Sequence, residues 1–322
     1  MARYRLIIKP SSPFQTTLHS DTLFGHICWA LRYLSGEDKL LEFLAAFRPD
    51  NVPLILSSGS PKGYLPMPVL RPLSNSEAES LGQKYYKGST GLDITRELKN
   101  LKKVPYIQIP ALEMLKDDLS YYNLYAKHFN AEILLEKPKE SVTIEVWHNA
   151  KNRLTDRVVE GKLFAKSDTF FNKGAELVVY IEDTYFSRDM LLELIYFISR
   201  SGYGADKSSG RGMFEYELLD QWELPESEDP NAFLNLSQYH PTEGDFSDGF
   251  YDMTTKFGKI GGHWAAGIDG GPYKMPILML NPGSVFMRDD YRSFYGGIIK
   301  NVHKKEGVVH YGIALPLKVR VT

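Results

Sequence analysis

Residues 201–218 read SGYGADKSSGRGMFEYEL, and what stands on either side of their glycines decides the fold. Glycine-rich loops let backbone N–H groups approach phosphate oxygens, so two nucleotide-binding loops must be weighed first. A Walker A loop needs glycine immediately before its Lys-Ser/Thr, but Asp206 precedes Lys207 here, and its carboxylate would repel a phosphate. The dinucleotide fingerprint needs its third glycine where Lys207 stands, between a strand and a helix. Here the order is inverted. SRDMLLELIYFISRSG (187–202) predicts a helix with Ser187 as N-cap, Arg200 late and Gly202 as stop, and MFEYELLDQWEL after the loop alternates as a strand.

The same reading extends towards the N-terminus. YRLIIKP predicts a first strand ended by Pro10 and Pro13. Leu23, Phe24, Ile27, Cys28, Leu31 and Leu34 recur at helical spacing, with Ser20 or Asp21 placed to cap and Gly36 to stop. A short helix follows around KLLEFLAAF, then strand-like pieces and turns from Pro53 to Pro72, then an inserted, partly helical region over 76–100. TIEVWH and AELVVYIED predict strands, and RVVEGKLF a hairpin arm turning at Glu-Gly. The order strand, helix, strands, helix, loop, strand matches an α+β domain of ferredoxin-like or RRM-like type with insertions. An acidic, turn-rich stretch from Pro225 to about Pro241 predicts a boundary between domains 1–222 and 223–322. The second is β-rich, with strands in KMPILML, SVFMR and VVHYGIALPLKVRV and no convincing helix. No fixed-period repeat is visible.

Composition bounds the function. Of 322 residues 43% are apolar and 13% aromatic, enough for a real core, and the net charge is −2. The single Cys28 excludes a disulfide framework and fits a reducing, cytoplasmic setting. No long apolar run predicts a membrane span. Charge is segregated: 151–173 carries Lys151, Arg153, Arg157, Lys162, Lys166 and Lys173 against Asp156, Glu160 and Asp168, whereas 223–252 holds eight acids and no Lys or Arg. One side therefore suits a polyanion and another does not.

Helix, GYGADKSSGRG, then strand resembles the glycine-rich signature of the RAMP superfamily of CRISPR-associated RNA-binding proteins. Three further segments, LHSDTLFGHICWAL (18–31), HNAKNRLTD (148–156) and NPGSVFMR (281–288) with VVHYGIALPL (308–317), resemble the branch that holds the crRNA 5′ end in type III-A effector complexes. The resemblance implies two tandem RRM-like domains and a thumb-like β-hairpin. It implies a non-catalytic subunit without cofactor or metal. The implied partners are the crRNA 5′ tag, a large polymerase-like subunit and a neighbouring backbone RAMP subunit, with target RNA met only indirectly and no membrane. On that reading RNA would be met by His19, Ser20, Asn149, Asn152, Arg153, Arg157, Tyr203, Gly204, Lys207, Ser208, Ser209, Gly210, Arg211 and Gly212. Leu154 or Val158 would wedge against bases, and Tyr203 would be either a stacking platform or a core residue.

The alternative within the superfamily is an RNA-cleaving member that uses a histidine or an aspartate. Capping is the expected job of Asp21. His26 falls on the exposed arc of its helix, His19 has no companion base at a recognisable spacing, and no histidine forms a metal motif.

Overall fold

The computed structural model describes residues 1–322 apart from 86–90, 153, 263–270 and 289. Strand β1 (Ala2–Pro10) sends Tyr4, Leu6 and Ile8 into the core. Helix α1 (Ser20–Ser35) buries Leu23, Phe24, Ile27 and Leu31, the stripe its spacing predicts, and stops at Gly36, whose φ of +92° suits glycine. Neither Ser20 nor Asp21 caps it. His19 occupies the N-cap position without a side-chain bond, because both expected caps are drawn into contacts with the second half of the chain.

After α2 (Glu37–Ala45) come β2 (Leu54–Leu56), β3 (Ser60–Pro61) and β4 (Tyr64–Pro66). The inserted region is mostly helical: α3 (Asn75–Tyr85), α4 (Gly91–Leu101), β5 (Tyr106–Gln108), α5 (Ile109–Glu113) and α6 (Tyr121–Phe129). Two long strands, β6 (Ser141–Lys151) and β7 (Val158–Phe171), make a projecting arm. Then follow β8 (Leu177–Asp183), α7 (Arg188–Ser201) and β9 (Phe214–Asp220). Ser187 caps α7, its hydroxyl accepting from the Met190 N–H at 3.2 Å, and Gly202 ends it. The antiparallel sheet runs β2-β8-β1-β9, with β3 also on β8, which is the strand order of a ferredoxin-like fold.

The second half repeats that order without helices among its described residues. Its strands are β10 (Ala232–Asn235), β11 (Asp248–Phe250), β12 (Met253–Lys256), β13 (Ile277–Leu280), β14 (Val285–Met287), β15 (Tyr295–Ile299), β16 (His310–Ala314) and β17 (Pro316–Val319). The sheet runs β11-β14-β10-β17. Residues 236–247 and the β15–β16 hairpin stand where the two helices would be. Hairpin β12–β13 therefore lies between the second and third strands of its sheet, as the β6–β7 arm does in the first. Strand order repeats although the sequence does not.

One hydrophobic core joins the halves, holding Leu6, Phe24, Leu54 and Ile198 together with Leu234, Tyr311, Ile313 and Leu317. Backbone bonds stitch the same seam. The Ser58 N–H donates to the Leu236 carbonyl at 2.8 Å, and the Tyr311 hydroxyl accepts from the Leu56 N–H at 3.0 Å. Within Pro225–Pro241, β10 is a central strand paired on both sides. One sequence expectation needs correction. The arm does not turn at Glu160-Gly161: the turn is 152–157, and Gly161, at φ +73°, sits where the ladder slips between Asn149↔Leu163 and Lys151↔Val158.

Candidate nucleic-acid interface

The glycine loop closes on itself before it meets anything else. Its first aromatic, Tyr203, is fully buried. The Tyr203 hydroxyl donates to the Thr17 carbonyl at 2.8 Å and accepts from the His19 N–H at 3.0 Å, while its ring lies against Phe14 and His26. Tyr203 therefore offers no face to a base, and the stacking platform expected of it is corrected to a core tyrosine.

The glycines divide by what surrounds them. A Cβ on Gly212 would stand 1.9 Å from the Tyr203 carbonyl oxygen, and one on Gly204 would stand 2.6 Å from the Thr16 Cβ. Both residues have positive φ, and both spend their N–H groups inside the protein, Gly212 on the Pro13 carbonyl and Gly204 on His26 Nε2, each at 2.9 Å. They serve close packing rather than approach to RNA, which corrects the expectation for both. Gly210 differs. It has φ +78° with open space where a side chain would be, and it forms the exposed tip with Ser208 and Ser209. Lys207 is half-buried behind that tip, burial lowering its pKa.

His26 is not on an exposed arc. The loop folds back over it, so that its Nε2 accepts the Gly204 N–H, and burial, then Lys207, push its pKa down to about 3. His19 is held down at about 4 by burial and by Lys256, with Asp21 opposing, and its Nδ1 accepts from the Gln238 amide at 3.3 Å. The Ser20 hydroxyl is buried and accepts from the Gln238 N–H at 2.9 Å. Ser20 thus joins the two halves and is removed from the RNA-facing set.

Asp21 is likewise spent. Its carboxylate lies 3.3 Å from Lys256 Nζ of β12 and 3.3 Å from His310 Nε2 of β16. Burial alone would raise its pKa, but His310 and Lys256 outweigh burial and hold it well below the carboxylate range. His310 itself is lowered by burial, with Asp21 opposing. Both histidines weighed for catalysis are thus neutral at pH 7 and engaged with protein groups. Among the described residues no group of three His, Cys, Asp or Glu is disposed to hold a metal.

The arm is tied to the loop by charge. Arg211 Nε and Nη2 donate to one oxygen of the fully buried Asp168 carboxylate, at 3.0 and 2.8 Å. Burial would raise the Asp168 pKa, but the bonds from Arg211 and Gln15 win and lower it. Lys166 forms a short ion pair with Asp206. Arg211 is therefore committed to the arm base, and its expected role as a free phosphate ligand is corrected. The signal was present in the sequence, since Asp168 is an acid inside a basic, alternating strand.

Beyond its base the arm is uncovered. Asn149, Asn152, Arg157, Leu154 and Val158 are all exposed, Leu154 by 96% at the tip. The Leu154 N–H donates to the Asn152 Oδ1 at 2.9 Å, and Lys151 pairs with Asp156 across the turn. Arg153 lies outside the described residues. Sequence reasoning missed the arm's other exposed groups: Trp147 and Leu163 on one face, Ile144 and Phe164 on the other. An apolar residue in a predicted strand reads as core, and only the long unpartnered ladder shows otherwise.

Solved structures share this architecture. A chain of a Csm1–Csm4 cassette in complex with pppApA aligns over 99% of both chains, with TM-score 0.59 and 17% identity. A chain of a Csm3–Csm4 subcomplex of the type III-A CRISPR-Cas interference complex aligns over 98% of this chain and 99% of that one, with TM-score 0.63 and 18% identity. The chain shares the fold of chains in these Csm1–Csm4 and Csm3–Csm4 assemblies. Another Csm1–Csm4 cassette, in complex with cA4, aligns at TM-score 0.60 and 15% identity over 99% of both chains. Neither a family model nor a curated protein matches the sequence. No helix among the described residues is long and apolar enough to cross a membrane.

Proposed function

We propose that this protein is a non-catalytic RNA-binding subunit of a type III-A CRISPR effector. On this reading its two units, 1–222 and 223–322, grip the 5′ tag of the crRNA and bridge a large polymerase-like subunit to the RAMP backbone. The observation that carries the reading is the pair of ion pairs, Arg211–Asp168 and Lys166–Asp206, that lock the glycine loop to the base of the arm. They tie the exposed Ser208, Ser209, Gly210 tip, with Lys207 half-buried behind it, to the base of an arm that carries exposed Asn149, Asn152, Arg157 and apolar Leu154 and Val158 further out. Backbone and hydroxyl donors suit phosphates, and an apolar wedge suits unstacked bases of a single strand. The fold shared with chains of Csm1–Csm4 and Csm3–Csm4 assemblies, with Csm4 common to both names, supports a place between two protein neighbours. The engagement of His19 and His26 favours binding over RNA cleavage.

The net charge of −2 is small for a solitary RNA binder. The lone chain is therefore expected to bind a 5′-tag oligonucleotide at about micromolar or weaker at physiological salt, the range of non-specific contacts. Adding the polymerase-like subunit of the same host should tighten it at least about tenfold through shared contacts. Fluorescence anisotropy with a scrambled tag as control measures both. Nanomolar tag-selective binding by the lone chain defeats the assembly reading, and cleavage of repeat RNA in EDTA defeats the non-catalytic one.

A further inference from the structure

Tyr203 and Phe214, the aromatics that bracket the glycine loop, are both buried, so a face for stacking has to come from elsewhere. The arm supplies one. Its side chains alternate between two sides, and the loop is pinned to Lys166 and Asp168, so the side that bears those two residues is the one turned to the loop. On that side His148 and Phe164 stand opposite each other in the ladder. Their rings stack, with 5.5 Å between centroids and 14° between planes. His148 is half-buried, and Phe164 stays 44% exposed. Lys166 Nζ lies 5.6 Å from the Phe164 ring centroid while its charge is spent on Asp206. Phe164 therefore sits just past the two ion pairs, about 7 Å further out along the strand than Lys166.

Charge separates the two sides of the arm. On the loop side both acids are already paired, Asp168 with Arg211 and Asp206 with Lys166. The surplus is cationic: exposed Lys162, which alternation puts on the same side as Phe164, and Lys207 of the loop. On the opposite side Trp147 and Leu163 are 64% and 66% exposed, but the one charge there among residues 143–149 and 163–169 is Glu145, which suits no phosphate. A ring beside unpaired cations suits a nucleotide, with the base on the ring and the phosphates on the amines. We propose that Phe164, backed by His148, is the platform on which one base of bound single-stranded RNA stacks. This rests on the reading of the chain as an RNA-holding subunit. Every base has a π-face, so the contact places the strand without reading its sequence.

The test uses full-length protein with saturating polymerase-like subunit from the same host. The probes are 5′-tag RNAs, intact or with one base at a time replaced by an abasic site, and affinity is read by fluorescence anisotropy. Phe164→Ala should weaken the intact RNA about tenfold, within the range of one base–aromatic stack, with an unchanged salt slope because no charge is removed. Phe164→Trp should bind as wild type, Phe164→Leu as weakly as Phe164→Ala, and Trp147→Ala, on the other side, as wild type. At one position the abasic site should cost the wild type about tenfold and the Phe164→Ala protein nothing. Wild-type affinity in Phe164→Ala, or the same abasic losses in both proteins, overturns the platform and leaves the RNA reading standing. An equal loss in Trp147→Ala overturns the choice of side. Binding restored by Phe164→Leu as fully as by Phe164→Trp makes Phe164 a packing residue. A Phe164→Ala protein that loses the polymerase-like subunit but keeps RNA makes it a protein contact. A wild-type assembly that does not bind the 5′-tag RNA overturns the platform together with the reading beneath it.

Discussion

Two hairpins occupy the same place in the two repeats, and they are built for opposite company. The β6–β7 arm ends in a tip with exposed Arg157 and has Lys162 along its second strand, whereas β12–β13, which follows Asp248 and Asp252 in the chain, turns Lys256 and Lys274 inward. Each is pinned at its base by a buried carboxylate and a cation. In the arm the acid is its own Asp168 and the cation is Arg211 of the glycine loop; in the second hairpin the cation is its own Lys256 and the acid is Asp21 of α1. The difference lies in the company of the acid. Asp168 leans on an arginine that never titrates, while Asp21 shares its site with His310 and His19. One duplicated position has thus become a charge-fixed arm and a histidine-flanked one.

The largest effect of a single substitution should come from breaking the first pin. Arg211→Ala leaves the Asp168 carboxylate, which has no solvent-exposed surface, without its cation, and leaving such a group short of its partner in this half-buried pair costs about 1–3 kcal/mol. Urea unfolding should show that loss, and proteolysis should cut first in the arm and the 202–213 loop. Asp168→Asn in the same background should restore part of the stability, because the uncompensated charge is then gone. An Arg211→Ala protein of wild-type stability with a weaker salt dependence of RNA binding would return Arg211 to the phosphate-binding set and undo the contrast.

Mild acid should act next, and unevenly. A histidine whose folded pKa is lowered stays neutral in the native state while the unfolded chain takes up a proton near the ordinary value of about 6.5. Stability is then complete above about 6.5 and falls as pH drops, each such histidine costing up to about 1.4 kcal/mol per pH unit. His19 is held at about 4 and His26 at about 3, so together they should cost about 4 kcal/mol between pH 7 and pH 5. Of these two, His19 titrates at the higher pH, and its ring lies near Lys256. Amide exchange should therefore speed up in β12–β13 at a higher pH than at Gly204. Equal acceleration at both places would remove the distinction between the two pins.

How far the sequence could be read follows the same division. Helices α1 and α7, strand β8 and the loop between α7 and β9 were legible, because each is a periodic segment bounded by Ser187, Gly36 or Gly202. What escaped depended on distant partners. His26 lies off the apolar stripe of α1, and it is half-buried because Gly204, 178 residues later, folds over it. Ser20 and Asp21 look like helix caps locally, yet their partners Gln238, Lys256 and His310 all come from the second half. The acidic, turn-rich composition of 223–252 hid the four residues Ala232–Asn235, which form a central strand. The repeated strand order was invisible because the second sheet replaces both helices with a loop and a hairpin.

The smallest predicted effect is the most diagnostic for the RNA side. Lys207 has no ion-pair partner among the described residues, stands half-buried behind the Ser208–Gly210 tip, and has its pKa lowered by burial. Each of these features fits a lysine kept for a ligand, since a solvated surface lysine has no reason to be desolvated and a structural one would have an acid beside it. If it meets one phosphate, Lys207→Ala should reduce the slope of log affinity against log salt by about 0.7, the value for one contact on a single strand, and weaken binding by about 1 kcal/mol at moderate salt. Stability should be unchanged or slightly higher, because a desolvated amine is removed. Gly210→Ala is the companion variant. Its φ of +78° costs a side chain about 1–2 kcal/mol in the left-handed region, but no atom blocks the added methyl group. A tip that meets phosphate through its backbone should therefore bind more weakly with the same salt slope. The two variants separate charge from backbone at one site. If Lys207→Ala keeps the wild-type slope in the assembled complex, the lysine is a packing residue and the RNA-facing charge of this protein belongs to the arm alone.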